Sequence, residues 1–321
     1  MKAIVQDRFG APEVLELREI DQPEAGDDEV LVRVHAASVN PADWYAMTGS
    51  PYVARPQMGL RTPKTRLGID FAGVVEAVGG KVTRLQPGDE VFGAGTGALA
   101  EYVAVPEDAL VLKPANVSFE QAAAVPVAGL TALQGLRDKG RVEPGRRVLI
   151  NGASGGVGTF SVQLARSFGA EVTGVCSTRN VDLVGSLGAD QVVDYTKEDF
   201  TRTDRRYDLL LDVAGSRSWA ACRRILHRRA TLVMVGAPKG NRVLGPLGHI
   251  AKVRLASLRA SQKVLFFISK RNNEDLLTLQ GLLEAGTVTP VVERTYALSE
   301  TADALRHLGE GHARGKLVIV V

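Results

Sequence analysis

The period of the apolar positions changes about a third of the way along this chain. Before that point the apolar residues fall in short runs broken by turn residues. Leu31-Val32-Arg33-Val34-His35-Ala36 alternates, Phe71-Ala72-Gly73-Val74-Val75-Glu76-Ala77-Val78-Gly79 is a run closed by glycines, and Gln86-Pro87-Gly88-Asp89 is a turn that enters Glu90-Val91-Phe92. Such runs, bounded by Gly, Pro and Asp, predict short strands. Met1-Lys2-Ala3-Ile4-Val5 reads directly into another. Residues 1 to about 120 are therefore expected to form a mostly β, barrel-like domain. Ser118-Phe119-Glu120-Gln121 has the form of a capping box, with Ser118 as N-cap. It opens a short helix from Ala122 to about Val125, which Pro126 is expected to end. A second helix is expected around Leu130 to Asp138.

Beyond this the pattern alternates between buried strands and amphipathic helices. Strands are predicted at about 147–151, 171–176, 191–194, 208–213 and 230–235, and helices near 156–168, 180–187 and 217–226. That alternation implies a parallel sheet covered by helices. Asn241 to Arg259 is irregular, basic and partly helical in pattern. Val264-Leu265-Phe266-Phe267-Ile268 is a short apolar strand, and Asp275 to Ala285 an amphipathic helix. Ala302, Leu305 and Leu308 share one face of a last helix, which the strand Lys316–Val321 follows.

The stretch Arg147-Val148-Leu149-Ile150-Asn151-Gly152-Ala153-Ser154-Gly155-Gly156-Val157-Gly158 joins a predicted strand to a predicted helix through a glycine turn. A dinucleotide-binding unit begins in this way. Gly155 permits the tight turn, Gly156 lets backbone N–H groups approach a pyrophosphate, and Gly158 lets helix and strand pack closely. The helix N-terminus turns its partial positive charge toward the phosphates. Ala153 stands where the first glycine of the common fingerprint would be. Ala153, Ser154, Gly155, Gly156, Val157 and Gly158 are the candidate cofactor-binding residues of this turn.

Composition narrows the class. The chain has 321 residues, enough for two domains, with 45% hydrophobic and 23% charged residues, and a net charge of +3 argues against nucleic acid as a partner. Cys176 and Cys222 are too few for a disulfide framework or a zinc cluster. There is no apolar run of signal-peptide length and none long enough to span a membrane. The expected location is a reducing cytoplasm. His35, in a strand, reads as structural, and His227, His249, His307 and His312 have no metal-ligand spacing.

Ala36-Ala37-Ser38-Val39-Asn40-Pro41-Ala42-Asp43, Gly68-Ile69-Asp70-Phe71-Ala72-Gly73, Pro87-Gly88-Asp89-Glu90-Val91, Gly129-Leu130-Thr131-Ala132-Leu133, the glycine turn and Gly311-His312-Ala313-Arg314-Gly315-Lys316 together resemble the zinc-independent medium-chain dehydrogenase/reductase superfamily, in its quinone oxidoreductase branch. The resemblance covers essentially the whole chain. It implies an α/β protein: a Rossmann doubly wound parallel sheet (122–287), a GroES-like, mostly β catalytic domain (1–121), and a C-terminal return to the catalytic domain (288–321). It places the active site in the cleft between the two domains. Zinc-dependent relatives need a Cys in the segment matching Asn40–Asp43 and a His in the segment matching Gly68–Asp70. Here these segments offer Asn40, Asp43, Ile69 and Asp70, so no metal is expected.

Without a Lewis acid, an alcohol is hard to convert to the alkoxide that gives up hydride. A quinone or an α,β-unsaturated carbonyl accepts hydride more easily, because the resulting charge spreads onto its own oxygen. Tyr45 is a candidate catalytic hydrogen-bond donor or a pocket wall, and Asn40 a candidate orienter or a turn residue. Tyr52 is expected at the pocket mouth. Asp43 is either a pocket residue or a cap on the local helix. The cofactor is expected to be NADP(H). No acid lies between Glu171 and Asp182 to hold a ribose hydroxyl, Ser177 leaves room for a 2′-phosphate, and Arg179 can neutralise it. The resemblance adds Tyr195 near that phosphate, and Thr131, Gly236 and Arg314 near the nicotinamide or the pyrophosphate. Two other functions stay open on the sequence: a zinc-free alcohol or ketone dehydrogenase, and an NADPH-binding sensor with little turnover. A homodimer through Val264–Ile268 is expected, since an exposed apolar edge strand invites pairing.

Overall fold

The structure is a computed structural model. It describes every residue except Lys239 and Asn241. The chain forms two compact units, one made of Met1–Leu130 with Arg271–Val321, the other of Thr131–Lys270. The strands in chain order are β1 (Lys2–Val5), β2 (Glu16–Glu19), β3 (Glu29–Ser38), β4 (Asp70–Val78), β5 (Glu90–Ala94), β6 (Tyr102–Pro106), β7 (Leu110–Leu112), β8 (Arg147–Asn151), β9 (Glu171–Cys176), β10 (Gln191–Asp194), β11 (Tyr207–Asp212), β12 (Leu226–Met234), β13 (Lys263–Phe266), β14 (Val292–Ala297) and β15 (Lys316–Val320). The helices are α1 (Pro41–Thr48), α2 (Arg55–Met58), α3 (Phe119–Ala123), α4 (Pro126–Gln134), α5 (Gly156–Ser167), α6 (Val181–Ser186), α7 (Trp219–Arg224), α8 (Pro246–Ala256), α9 (Asn273–Glu284) and α10 (Thr301–Glu310).

In the first unit, seven strands form one sheet in the order β14-β15-β3-β4-β5-β7, with β6 also paired to β3. β14 and β15 are parallel and the other pairings antiparallel. β3 is the hub: it pairs with β4, β6 and β15, so its apolar side chains Val30, Val32 and Val34 are buried among Phe71, Val91, Val103 and Ile319. His35 stacks on Phe119 at 4.5 Å between ring centroids, and burial lowers its pKa, in keeping with a structural role.

The second unit holds a six-stranded, all-parallel sheet in the order β10-β9-β8-β11-β12-β13. The order steps outward in both directions from β8, as in a doubly wound dinucleotide-binding fold. Its strands are apolar throughout: Val148, Leu149, Ile150, Leu210 and Leu211 are fully buried. Cys176 and Cys222 are free and buried, and burial pushes their thiols up to about 11 and about 12.

Several boundaries differ from expectation. The units divide at Leu130/Thr131 and Lys270/Arg271 rather than after 121 and 287, because α9 and Arg271 pack with the first unit. There Asn273 Nδ2 donates to Leu110 O and Arg271 to Ala94 O. Pro126 does not end a helix but begins α4 at its first position, where the missing N–H costs nothing. α4 gives way to a π-helical turn, Gly135–Gly140, instead of continuing as an α-helix to Asp138. β12 starts four residues earlier than its apolar run, since the exposed His227-Arg228-Arg229 joins the strand. The basic stretch after residue 241 folds as α8, while Asn241 itself lies outside the described residues.

Candidate active site

The glycine turn leads from β8 into α5. Gly152 adopts φ +90°, and a Cβ on Gly158 would lie 2.0 Å from Gly152 O, so the close packing of helix on turn excludes any side chain there. Ala153 is fully buried and its N–H donates to Val175 O on β9. Ser154, Gly155, Gly156 and Val157 are half-buried. The first-turn N–H groups of α5 have no intrahelical acceptor and present a partial positive charge. Ser177 directly follows β9 and Tyr195 directly follows β10; the Tyr195 N–H donates to Cys176 O and its side chain is 47% exposed. Gly236 follows β12, and its N–H donates to Asp212 O at the end of β11. The candidate residues of this unit thus collect at the carboxyl ends of the parallel strands, where open α/β sheets bind ligands. Thr131, 7% exposed, shares a 2.8 Å hydrogen bond with Ser269.

A residue with no local signal in the sequence, Asn180, ties this edge together. Asn180 Nδ2 donates to Ser154 Oγ at 3.0 Å and to Ser177 Oγ at 3.3 Å. The residue is 4% exposed, and its Oδ1 is buried with no hydrogen-bond partner among the described residues. A buried orphan acceptor between the glycine turn and the end of β9 calls for a donor, and a ribose hydroxyl is one. Asp194, the acid that ends β10, is already engaged. Thr178 donates to Asp194 Oδ2 at 2.6 Å, and this bond with those from Thr196 and Lys197 holds the carboxyl down at about 2. Arg179 is exposed in the turn that follows β9. The residues present fit a phosphorylated dinucleotide.

Arg314 belongs to the other unit, exposed in the turn before β15, with its N–H on Glu293 Oε2 at 2.7 Å. In that unit α1 carries Tyr45. Its side chain is half-buried, its hydroxyl makes no hydrogen bond among the described residues, and burial raises its pKa, so it stays protonated. Asp43 does not act as a pocket residue. It is 2% exposed and accepts the N–H of Asn40 at 2.8 Å and of Gly68 at 3.0 Å, which caps α1 and anchors the approach to β4. Burial pushes its carboxyl up to about 6. Tyr52 is exposed at 42%, but the Arg55 guanidinium covers its ring at 4.3 Å and also lies 5.0 Å from Phe9.

Asn40 is not a free orienter either. It is 3% exposed; its Oδ1 accepts Lys316 Nζ at 2.6 Å and its Nδ2 donates to Asp70 Oδ2 at 2.9 Å. Lys316 also reaches Asp70 Oδ2 and Val39 O, each at 3.3 Å. Ser38 Oγ donates to the same carboxylate oxygen at 3.2 Å, and Asp70 Oδ1 accepts Val127 N at 3.0 Å. This closed polar network joins β3, β4, β15 and the first turn of α4. Asp70 and Lys316 both lie in motifs that carry the family resemblance, but nothing local in the sequence pairs them, 246 residues apart.

Comparisons with known proteins agree with this architecture. Residues 26–115 match the alcohol dehydrogenase GroES-like domain, and residues 187–319 the zinc-binding dehydrogenase family. An NADPH-dependent alkenal/one oxidoreductase of Arabidopsis thaliana is 34% identical over 99% of this chain and 79% of its own length. The quinone oxidoreductase of Coxiella burnetii superposes with a TM-score of 0.88 at 34% identity, over 100% of this chain and 99% of its own. The chain belongs to the medium-chain dehydrogenase/reductase superfamily. It falls in the quinone oxidoreductase branch and is an oxidoreductase. A third relative, the Escherichia coli quinone oxidoreductase in complex with NADPH, gives a TM-score of 0.84 at 26% identity over the full length of both chains.

Despite the name of the second matching family, the residues of this superfamily member do not fit a zinc ion. Asn40 and Ile69 supply neither thiolate nor imidazole, and the amide and carboxylate oxygens at Asn40 and Asp70 already surround an ammonium. Among the described residues no group of three or more His, Cys, Asp or Glu is arranged to hold a metal. No helix among them is long and apolar enough to cross a membrane.

Proposed function

We propose that the chain is an NADPH-dependent, metal-independent reductase that transfers hydride to quinones or α,β-unsaturated carbonyls. The observation that carries the reading is the Lys316–Asp70–Asn40 network. It puts a fixed ammonium among the side-chain oxygens of Asn40 and Asp70, where a metal would need free ligands, so the acceptor must stabilise its own developing charge. Quinones and enones do so, and simple alcohols do not. Bound NADPH supplies the hydride. The glycine turn and the α5 N-terminus hold its pyrophosphate, Ser154, Ser177 and Asn180 its ribose, and Arg179 with Tyr195 its 2′-phosphate. The protonated, unengaged Tyr45 hydroxyl donates a hydrogen bond to the acceptor carbonyl, while Asn40 and Asp43 act by fixing the helix that carries it. Two free thiols suit a reducing cytoplasm, and β13, at the edge of its sheet, is the strand through which two copies pair.

The test is one preparation assayed against a quinone and an enone with NADPH, and against ethanol with NADP⁺. Fast turnover of the first two and slow oxidation of the last is expected; fast ethanol oxidation beside inert quinone and enone refutes the reading. Tyr45→Phe should lower turnover about ten- to a hundredfold, with NADPH affinity unchanged.

A further inference from the structure

A second recess in the Thr131–Lys270 unit has no part in the proposed chemistry. It is a groove of about 400 Å³ at the amino-terminal ends of β8, β11 and β13, bounded by the π-helical turn Gly135–Gly140 and the loop that follows it. The glycine turn lies at the other end of β8, roughly 15 Å of strand away.

The charges in this groove do not balance. Its acids are matched: Asp138 is held by Arg137 at 2.6 Å, and Glu143 and Asp208 share Arg146, each at 3.4 Å. Its remaining cations are not. Arg141, Arg229 and Lys263 line the groove with no ion-pair partner among the described residues. Lys139 lines it too, 5.8 Å from the Phe267 ring and with no carboxylate partner among the described residues. Arg141 is held at φ +50°, which makes it the only non-glycine residue with positive φ among those described. Side chains with a Cβ rarely adopt that conformation. Uncompensated like charges in a concave, partly apolar site repel one another and focus a positive potential. A ligand with at least two negative charges removes that repulsion, and two guanidinium forks with two ammonium groups suit oxyanions.

We propose that this groove binds a small, multiply charged anion bearing phosphoryl or carboxyl groups, at a site separate from the dinucleotide edge. The side chains that would hold it, Arg141, Arg229 and Lys263, are exposed and carry no part of the core.

The experiment titrates pyrophosphate, and separately citrate, into the full-length protein at low salt by calorimetry. NADP⁺ is kept saturating so that the glycine turn is filled. Binding of either anion with one-to-one stoichiometry, weakened about tenfold or more in Arg229→Ala/Lys263→Ala, is expected. Pyrophosphate alone would mark a phosphoryl ligand and citrate alone a carboxyl one. Arg141→Gly is the second variant. Glycine suits the positive φ, so the fold is kept or strengthened while anion affinity falls. NADP⁺ affinity should be unchanged in all variants, which separates this site from the cofactor site. If neither anion binds, or if both variants bind as tightly as the wild type, the proposal is overturned.

Discussion

Replacing Lys316 with Met tests the polar network most directly. The side chain is of similar length and apolar, so little packing is lost. What goes is the ammonium, with its contacts to Asn40 Oδ1, Asp70 Oδ2 and Val39 O. Asp70, fully buried, keeps three donors in Ser38, Asn40 and Val127 but loses its counter-charge. Leaving a buried charge unpaired costs about 3–5 kcal/mol. For the unit of about 180 residues that holds the network, each kcal/mol lowers the unfolding temperature by roughly 2–4 °C, so a fall of roughly 6–20 °C is expected. Thermal and urea unfolding of the wild type, Lys316→Met, Asp70→Asn and the double variant would close a double-mutant cycle. The double variant should be more stable than the two single losses sum to, because it leaves no unpaired charge. A loss below about 1 kcal/mol for Lys316→Met, or additive losses in the cycle, would refute the network as an energetic unit.

Asp43 gives a pH signature. Its folded pKa of about 6 lies above the ordinary 3.8, so the native state holds this proton more tightly than the unfolded chain. Its contribution to stability is greatest below about pH 4 and is lost as pH rises through about 6, a change of about 3 kcal/mol. Asp43→Asn should remove that slope from urea-unfolding curves recorded between pH 4 and 7, and an unchanged slope would count against the assignment. Arg179→Ala should weaken NADPH about ten- to a hundredfold with little effect on NADH, read from fluorescence titration with both cofactors. Ile268→Lys, at a site 79% exposed just past the edge strand β13, should convert a dimer to a monomer by light scattering; an unaltered dimer mass would place the interface elsewhere.

The architecture was legible because burial on both sides of a parallel strand leaves an uninterrupted apolar run, as in Val148–Ile150 and Leu209–Leu211. A glycine turn after such a run has few other uses. Residues with local roles were also readable. Ser118 caps α3 as its spacing implied, accepting Gln121 N while Gln121 Oε1 accepts Ser118 N. What stayed hidden depends on contacts distant in sequence. Asn40 looked like an orienter because nothing local shows that Lys316, 276 residues on, saturates its amide oxygen. Pro126 reads as a stop because the side chain that accepts the N–H of Val127, Asp70, lies 57 residues earlier. Asn180 carries no signal in the sequence because its two serine partners lie on separate loops that meet only once β8 and β9 pair.

The threading of the first unit has a consequence for biosynthesis. β15 is inserted between β14 and β3, and Lys316 lies 246 residues after the Asp70 carboxylate it neutralises. At about 5–20 residues per second, a ribosome needs roughly 12–50 s to cover that interval. The unit formed by Thr131–Lys270 is continuous in sequence and can complete its sheet during that time. The half that carries Tyr45 cannot: until the last strand emerges, β3 keeps an open edge at Ala36–Ser38 and Asp70 has no cation. The nascent chain can therefore complete the Thr131–Lys270 unit while Met1–Leu130, already made, still waits for its last strand, and an unpaired strand edge is the feature through which chains misassemble.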